Sequence, residues 1–129
     1  MKKRKLCLLL TAIFTVVSQL VFSQTNVADD VTAAFNSGYS EGIAIHLNNN
    51  VELTIQNTDN VFNKQQTKTI LSNFFKKNPP LKFVMMHKGA KEKSQFMIGD
   101  LETTNGHYRV SLLIKNNLIQ QLRIENADD

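Results

Sequence analysis

The sequence predicts a single α+β domain in which three helices cover the concave face of a curved, five-stranded antiparallel sheet. Two apolar stripes of helical period come first, followed by a strand-like segment and then a third helical stripe. The C-terminal half consists of four alternating segments separated by short turns, and Asn105-Gly106 is a strong signal for a tight hairpin. The predicted order is therefore α-α-β-α-β-β-β-β, which a sheet with its helices on one side accommodates.

The first 23 residues have the pattern of a cleaved secretory signal peptide. A basic MKKRK start precedes an apolar run, and Val21 and Ser23 suit the −3 and −1 positions of a cleavage site. The apolar stretch at 6–22 is shorter than the ~20 residues of a spanning helix. We therefore expect export to the periplasm or the medium, no membrane anchor after removal of the signal, and one mature domain over residues 24–129.

The charge balance changes once this segment is removed. The chain has 15 Lys and Arg residues against 11 Asp and Glu, and four of the basic residues lie in MKKRK. The mature chain is thus balanced, whereas a nucleic-acid-binding domain carries a clear positive excess. The single cysteine, Cys7, also lies in the signal, so the mature chain has no thiolate for a metal or a nucleophile.

Capping residues place the helices. Asn26 is suited to cap a first helix that Gly38 ends, and Ser40 is suited to cap a short second helix. The LNNN segment that follows is predicted to be a turn. Alternation predicts the first strand over Val51–Asn57.

A polar loop is expected after this strand, before the third helix. Asn63 and Gln66 form the pattern of a capping box, and Pro79-Pro80 ends the helix. Four strands then follow, and they are predicted over residues 81–88, 94–102, 107–115 and 118–125.

Strand alternation assigns side chains to the two faces of the sheet. On the strands predicted over 81–88 and 94–102 we expect the helix-covered face to carry Leu81, Phe83, Met85, His87, Phe96, Ile98 and Asp100. On the last two strands we expect it to carry Tyr108, Val110, Leu112, Ile114, Leu122 and Ile124, with Gln120 in the same phase. The opposite face is expected to be polar apart from Met86, Met97 and Leu113. These three residues are interpreted either as a modest apolar patch where a second copy docks or as the scattered apolar residues that are normal on a protein surface.

Two ionisable groups, His87 and Asp100, stand in the apolar phase and are candidates for the polar floor of a ligand site. The alternative is that they are the hydrated ends of two strands, beside Gly89 and Gly99. The predicted pocket is lined by Tyr39, His46, Phe74, Phe83, Met85, His87, Ile98, Asp100 and Tyr108. His46 and the two tyrosines are also compatible with ordinary packing at the edge of a core. The three histidines have no metal-ligand spacing, so neither a metal nor a cofactor is expected.

The segments ILSNFFKKNPP, FVMMHKG, IGDLET and GHYRV together resemble a bacterial family of secreted proteins, the domain of unknown function 4783. That family is placed in the nuclear-transport-factor-like superfamily, which shares the cystatin-like, cone-shaped fold of ketosteroid isomerase. The resemblance covers about Val27 to Glu125. It implies a pocket between sheet and helices, in which the enzymes of the superfamily place an Asp general base opposite a Tyr or protonated Asp donor.

Three functions follow from these expectations. The first is a secreted, non-catalytic module that binds a small apolar ligand or a second copy of itself through Met86, Met97 and Leu113. The second is an isomerase-, dehydratase- or hydrolase-like enzyme with Asp100 as the base and His87 or Tyr108 as its partner. The third is an envelope protein that contacts another protein through the outer sheet face around the same Met86, Met97 and Leu113.

Overall fold

The computed structural model describes residues 26–128, in which three helices lie on one face of a sheet. The predicted signal peptide lies outside the described residues. The helices are α1 (Val27–Ser37), α2 (Ser40–Ala44) and α3 (Lys64–Lys77). The strands are β1 (Leu47–Ile55), β2 (Thr58–Asn63), β3 (Pro80–Lys91), β4 (Ser94–Thr103), β5 (Gly106–Lys115) and β6 (Leu118–Asn126). Within residues 26–128, none of the helices is long and apolar enough to cross a membrane.

The sheet has six strands in the order β2-β1-β6-β5-β4-β3, and it is mixed because β1 runs parallel to β6. The expectation of five antiparallel strands is therefore wrong. The segment predicted to be a polar loop forms β2, an edge strand that pairs with β1 alone. An edge strand has one paired side and tolerates a polar sequence such as TDNVFN, so its alternation is weak. The predicted LNNN turn is likewise the start of β1.

The helix ends follow the sequence closely. The Asn26 side chain accepts a hydrogen bond from the Asp29 amide at 2.8 Å, and Gly38 ends α1 in the left-handed conformation at φ 66°. The capping box of α3 is present, because the side chains of Asn63 and Gln66 each accept the other's backbone N–H. The predicted cap of α2 is wrong, since Ser40 is already the first helical residue and Tyr39 precedes it without a side-chain cap.

The helices cover what we call the inner face of the sheet, and the core lies between the two layers. The Phe35 ring of α1 stacks on Phe83 of β3 with centroids 5.0 Å apart, and it meets the edge of Phe75 of α3 at 5.7 Å. The apolar residues that alternate in one phase of β1, β5 and β6 are buried: Val51, Leu53, Ile55, Tyr108, Val110, Leu112, Ile114, Leu122 and Ile124. The inward position predicted for Gln120 is wrong, because the register of β5 and β6 shifts beside it and Ile119 is buried instead. Within the described residues, no helix packs on the opposite, outer face.

Candidate functional site

In β4, the residues that face the core are the alternate set from the one that the sequence predicted. Its buried residues are Met97, Gly99, Leu101 and Thr103. Phe96 is 46% exposed, and Asp100 is exposed at its position opposite Arg109. The segment QFMIGDL has apolar residues in both phases, so alternation alone favoured the wrong one. A one-residue change of phase moves every side chain of a strand to the other face.

The close approach of an aromatic ring explains why Gly99 faces inward. A Cβ at Gly99 would lie 2.7 Å from Cε2 of Phe83 and 3.0 Å from the carbonyl oxygen of Val84. The ring of Phe83 therefore occupies the space that a side chain at this position would need. Glycine has no β-carbon and allows this packing. In the sequence, a glycine in the middle of a strand indicates that another group approaches closely at that position. This was the feature that could have predicted which residues of β4 face inward.

Two irregularities in the pairing of β3 explain why Leu81 and His87 were also predicted on the wrong face. The pairing of β3 with β4 shifts between Pro80 and Lys82 and again between Met85 and His87. The first shift leaves Leu81 60% exposed. The second places His87 opposite Ile98 on the outer face, so its predicted inward position is wrong. A bulge inserts one unpaired residue and cannot be seen in a simple alternating pattern.

His87, Ile98 and Asp100 therefore share the outer face and do not line an interior pocket. His87 and Asp100 are exposed, and Ile98 is half-buried. The His87 ring lies 6.1 Å from the ring of Phe96, centroid to centroid. Asp100 has Val84 and Arg109 as its cross-strand neighbours.

Tyr108 is on the inner face, and its hydroxyl is part of a buried structural network. It donates to Oδ1 of Asn78 at 3.0 Å, and Nδ2 of Asn78 donates to the carbonyl of Phe74 at 3.1 Å. The rings of Phe74 and Tyr108 also meet edge to face at 5.1 Å. Asp100 and Tyr108 lie on opposite faces of the sheet, so the predicted base and donor do not converge on one cavity.

The two helix-side candidates are also separate. His46 follows α2 and is 18% exposed, with its Nε2 2.9 Å from Oδ2 of Asp30, which ties the end of α2 to α1. Tyr39 is 59% exposed beside Ile45, at a shallow surface cleft between α1 and α2. His46 therefore has the edge-of-core role that the sequence left open.

The buried side chains between helices and sheet form one hydrophobic cluster. Of the predicted pocket residues, Phe74 and Phe83 are buried and Met85 is partly buried against the core. One cleft of about 240 Å³ opens at the end where α3 meets the turn between β1 and β2. Its lining residues are Ile55, Gln56, Asn57, Thr58, Ile70, Asn73, Phe74, Lys77 and Asn78. This volume is below the ~300 Å³ at which ligand pockets usually begin, and Phe74 is the one predicted pocket residue that lines it.

The outer face carries an apolar area that the sequence placed only in part. Met97 is 1% exposed and belongs to the core, so the predicted set of Met86, Met97 and Leu113 is wrong at that residue. Cross-strand pairing instead puts Phe96 beside Leu113, and Val84 lies on the same face. We define the outer patch as the apolar side chains Val84, Met86, Phe96, Ile98 and Leu113 of β3, β4 and β5. Val84, Met86 and Phe96 are exposed, with Met86 at the bulge of β3, and Ile98 and Leu113 are half-buried.

The buried polar side chains of the described residues are paired. Among residues 26–128, no group of three or more His, Cys, Asp and Glu side chains is placed to hold a metal ion. Within the same range, every buried side-chain nitrogen and oxygen has a hydrogen-bond partner. The interior therefore presents no unpaired polar group toward a ligand.

A family model and several solved structures are similar to this chain. The model of the family described as Domain of unknown function (DUF4783) matches residues 28–125. A DUF4783 family protein from Bacteroides uniformis is 32% identical, with a TM-score of 0.76 over 81% of this chain and 100% of that chain. One from Bacteroides ovatus is 34% identical, with a TM-score of 0.73 over 78% and 94%.

A more distant structure shows the fold alone. It is an NTF2-like protein of unknown function from Cytophaga hutchinsonii, 14% identical, with a TM-score of 0.58 over 82% of this chain and 94% of that chain. No curated protein matches the sequence. The chain belongs to the DUF4783 family, and its domain has the cone-like α+β fold of NTF2-like proteins.

Proposed function

We propose that the protein is a non-catalytic module that associates with a second copy of itself through the outer patch. The observation that carries this proposal is the exposure of large apolar side chains on a sheet face without helices. Met86 is 61% exposed, Phe96 46% and Val84 38%, and all three lie on neighbouring strands. Contiguous apolar surface of this kind is typical of protein interaction sites.

The dimensions of the sheet support a second copy as the partner. Six strands at a spacing of ~4.8 Å, each about nine residues long at ~3.3 Å per residue, give a face on the order of 850 Å². Standard protein interfaces bury about 800 Å² on each partner. A balanced charge over residues 24–129 adds little long-range repulsion between copies.

Sedimentation equilibrium of the purified protein tests the proposal. We expect a monomer–dimer equilibrium with a micromolar or tighter dissociation constant. Phe96→Glu places a charge within the outer patch and is expected to weaken association at least about 30-fold, the loss typical of a large aromatic interface residue. Ile45→Glu is the matched control, because Ile45 is 58% exposed on the helix side and should leave association unchanged.

A wild-type protein that stays monomeric at high concentration would reject the proposal. Equal weakening by Phe96→Glu and Ile45→Glu would also reject it, since the effect would then not depend on the face that carries the charge. Circular dichroism and thermal unfolding of both variants establish that they remain folded.

A second candidate is the binding of a small apolar ligand in the cleft at the end of α3. The specific observation is its apolar floor, formed by Ile55, Ile70 and Phe74, with Asn73 and Lys77 at the rim. Ile70→Trp is expected to fill the cleft. Thermal-shift stabilisation by an apolar compound, lost in that variant, would support this function; a panel that stabilises neither protein would count against it.

We propose further that the module works outside the cytoplasm, because residues 1–23 have the pattern of a signal peptide. N-terminal sequencing of the protein from the exported fraction should begin at Gln24. An intact N-terminus starting at Met1 in the cytoplasmic fraction would contradict this.

A further inference from the structure

The sulfur atoms of this chain belong to a few residues. Met1 and Cys7 lie in the predicted signal peptide, and the remaining sulfur-containing residues are Met85, Met86 and Met97. The mature chain therefore has no thiol, and its thioethers are the sulfur groups that a peroxide can oxidise. Which methionine reacts depends on which sulfur an oxidant reaches from the solvent.

The three methionines differ in their access to solvent. Met86 is exposed, whereas Met97 is buried in the core. Met85 is partly buried against the same core. A peroxide in solution reaches Met86 directly, but it reaches Met97 only when the structure opens locally or globally. Met86 is thus the most exposed methionine among residues 26–128.

The bulge in β3 explains why Met86 lies at the surface. Met85 pairs with Gly99 and His87 pairs with Ile98, so Met86 is left without a cross-strand partner in β4. It is the extra residue of the bulge, and a bulge changes the direction in which a side chain points. The irregularity therefore keeps Met86 exposed while the neighbouring Met85 packs against the core.

Oxidation by a peroxide changes the polarity of an exposed methionine. The thioether sulfur attacks one peroxide oxygen, and the O–O bond breaks as the S–O bond forms. The proton of the attacked oxygen passes to the other oxygen, which leaves as water or an alcohol. The sulfur is oxidised by two electrons and the peroxide is reduced. The product is a polar sulfoxide, which methionine sulfoxide reductases return to the thioether at the expense of two thiols.

We propose that Met86 is a reversible oxidation site and that its sulfoxide weakens the association of two copies. This inference rests on the proposed self-association through the outer patch. The second copy covers Met86 in the dimer, and a sulfoxide oxygen buried there without a donor loses its hydrogen bonds to water. A two-fold dimer contains the residue twice, so both oxidised side chains act on one equilibrium. By the same linkage, association shields Met86 from the oxidant.

Titration with hydrogen peroxide, followed by peptide mass spectrometry, tests the site. We expect Met86 to gain an oxygen atom at least about tenfold faster than Met97, because the buried residue reacts only from opened states. The rate at Met86 should also fall as the protein concentration rises through the dissociation constant. Equal rates at Met86 and Met97 in the folded protein would overturn the assignment of the site.

Sedimentation equilibrium of the oxidised protein tests the effect on association. We expect the dissociation constant to rise at least about tenfold, the loss typical of a buried polar group that has no partner. Treatment with methionine sulfoxide reductase and a thiol should return the constant to its value before oxidation. A protein oxidised at Met86 that dimerises as tightly as the untreated protein would overturn the inference.

Met86→Leu is the matched control, because leucine is apolar, has a similar volume and contains no sulfur. This variant should associate as the wild type does and should not respond to peroxide. Met86→Gln places a polar side chain at the same position and should weaken association without any oxidant. If peroxide weakens Met86→Leu as much as the wild type, the role of Met86 is overturned. Thermal unfolding establishes that the oxidised protein and both variants are folded.

The outcomes separate this inference from the proposed function. A wild-type dimer that is weakened by Phe96→Glu, but not by oxidation of Met86, would overturn the oxidation switch and leave the outer patch as the interface. An untreated wild-type protein that stays monomeric at high concentration would overturn the proposed function and this inference with it.

Discussion

Replacing Gly99 by alanine tests the packing that sets the phase of β4. The new methyl group would lie 2.7 Å from Cε2 of Phe83 and 3.0 Å from the Val84 carbonyl oxygen. Phe83 is 3% exposed and stacked on Phe35, so its ring has no free space to enter. Forcing an extra carbon into such a core costs about 1–3 kcal/mol, partly offset by the ~0.4–1 kcal/mol that Gly→Ala contributes by restricting the unfolded chain.

Gly89→Ala is the matched control for this substitution. A Cβ at Gly89 would lie 2.8 Å from the ring of Phe96, which is 46% exposed and can rotate toward solvent. We expect Gly99→Ala to lower the free energy of unfolding by roughly 1–2 kcal/mol and Gly89→Ala to change it by less than about 0.5 kcal/mol. In a domain of this size 1 kcal/mol corresponds to about 4–8 °C in Tm. Urea unfolding that shows equal stability for Gly99→Ala and the wild type would refute the packing of Phe83 over Gly99.

Two further substitutions test single hydrogen-bonded contacts. Tyr108→Phe should destabilise the protein by about 1–3 kcal/mol in urea unfolding, because it leaves the buried Oδ1 of Asn78 without its donor; Tyr39→Phe, on a 59% exposed side chain, should be neutral. Asn36→Ala should speed hydrogen exchange at the Phe83 amide, since the Asn36 side chain accepts from that N–H at 2.9 Å and donates to the Phe83 carbonyl at 3.1 Å. A Tyr108→Phe variant of unchanged stability, or unchanged exchange at Phe83, would contradict these contacts.

The sequence predicts the elements that carry strong local signals. The caps at Asn26 and Asn63 and the left-handed Gly38 are determined by residues within one helical turn, so they are correct. β5 is also correct, because four of its apolar residues, Tyr108, Val110, Leu112 and Ile114, alternate in one phase and Leu113 alone lies in the other. β2 is missed because it is a polar edge strand, TDNVFN, and no alternation of apolar residues marks its hairpin pairing with β1.

The candidate site depends on which face of the sheet each side chain of β3 and β4 occupies. The sequence pattern of these two strands says least about that. β4 has apolar residues in both phases, and the bulge between Met85 and His87 changes the face of β3 midway. The packing of Phe83 over Gly99 agrees with the observed phase of β4, but an alternating pattern does not contain this contact. As a result, His87 and Asp100 lie on the outer face and not in the interior, where the sequence predicted them. Phe96, and not Met97, belongs to the apolar surface of that face.

Hydroxyl-radical footprinting across a concentration series is the most direct test of the outer patch as the association surface. Met86 and Phe96 are exposed on that face, whereas Tyr39 is 59% exposed on the helix side and serves as an internal reference. We expect the oxidation rates of Met86 and Phe96 to fall as dimer forms, with Tyr39 unchanged. A dimer in which Tyr39 becomes protected while Phe96 keeps its monomeric rate would contradict the account.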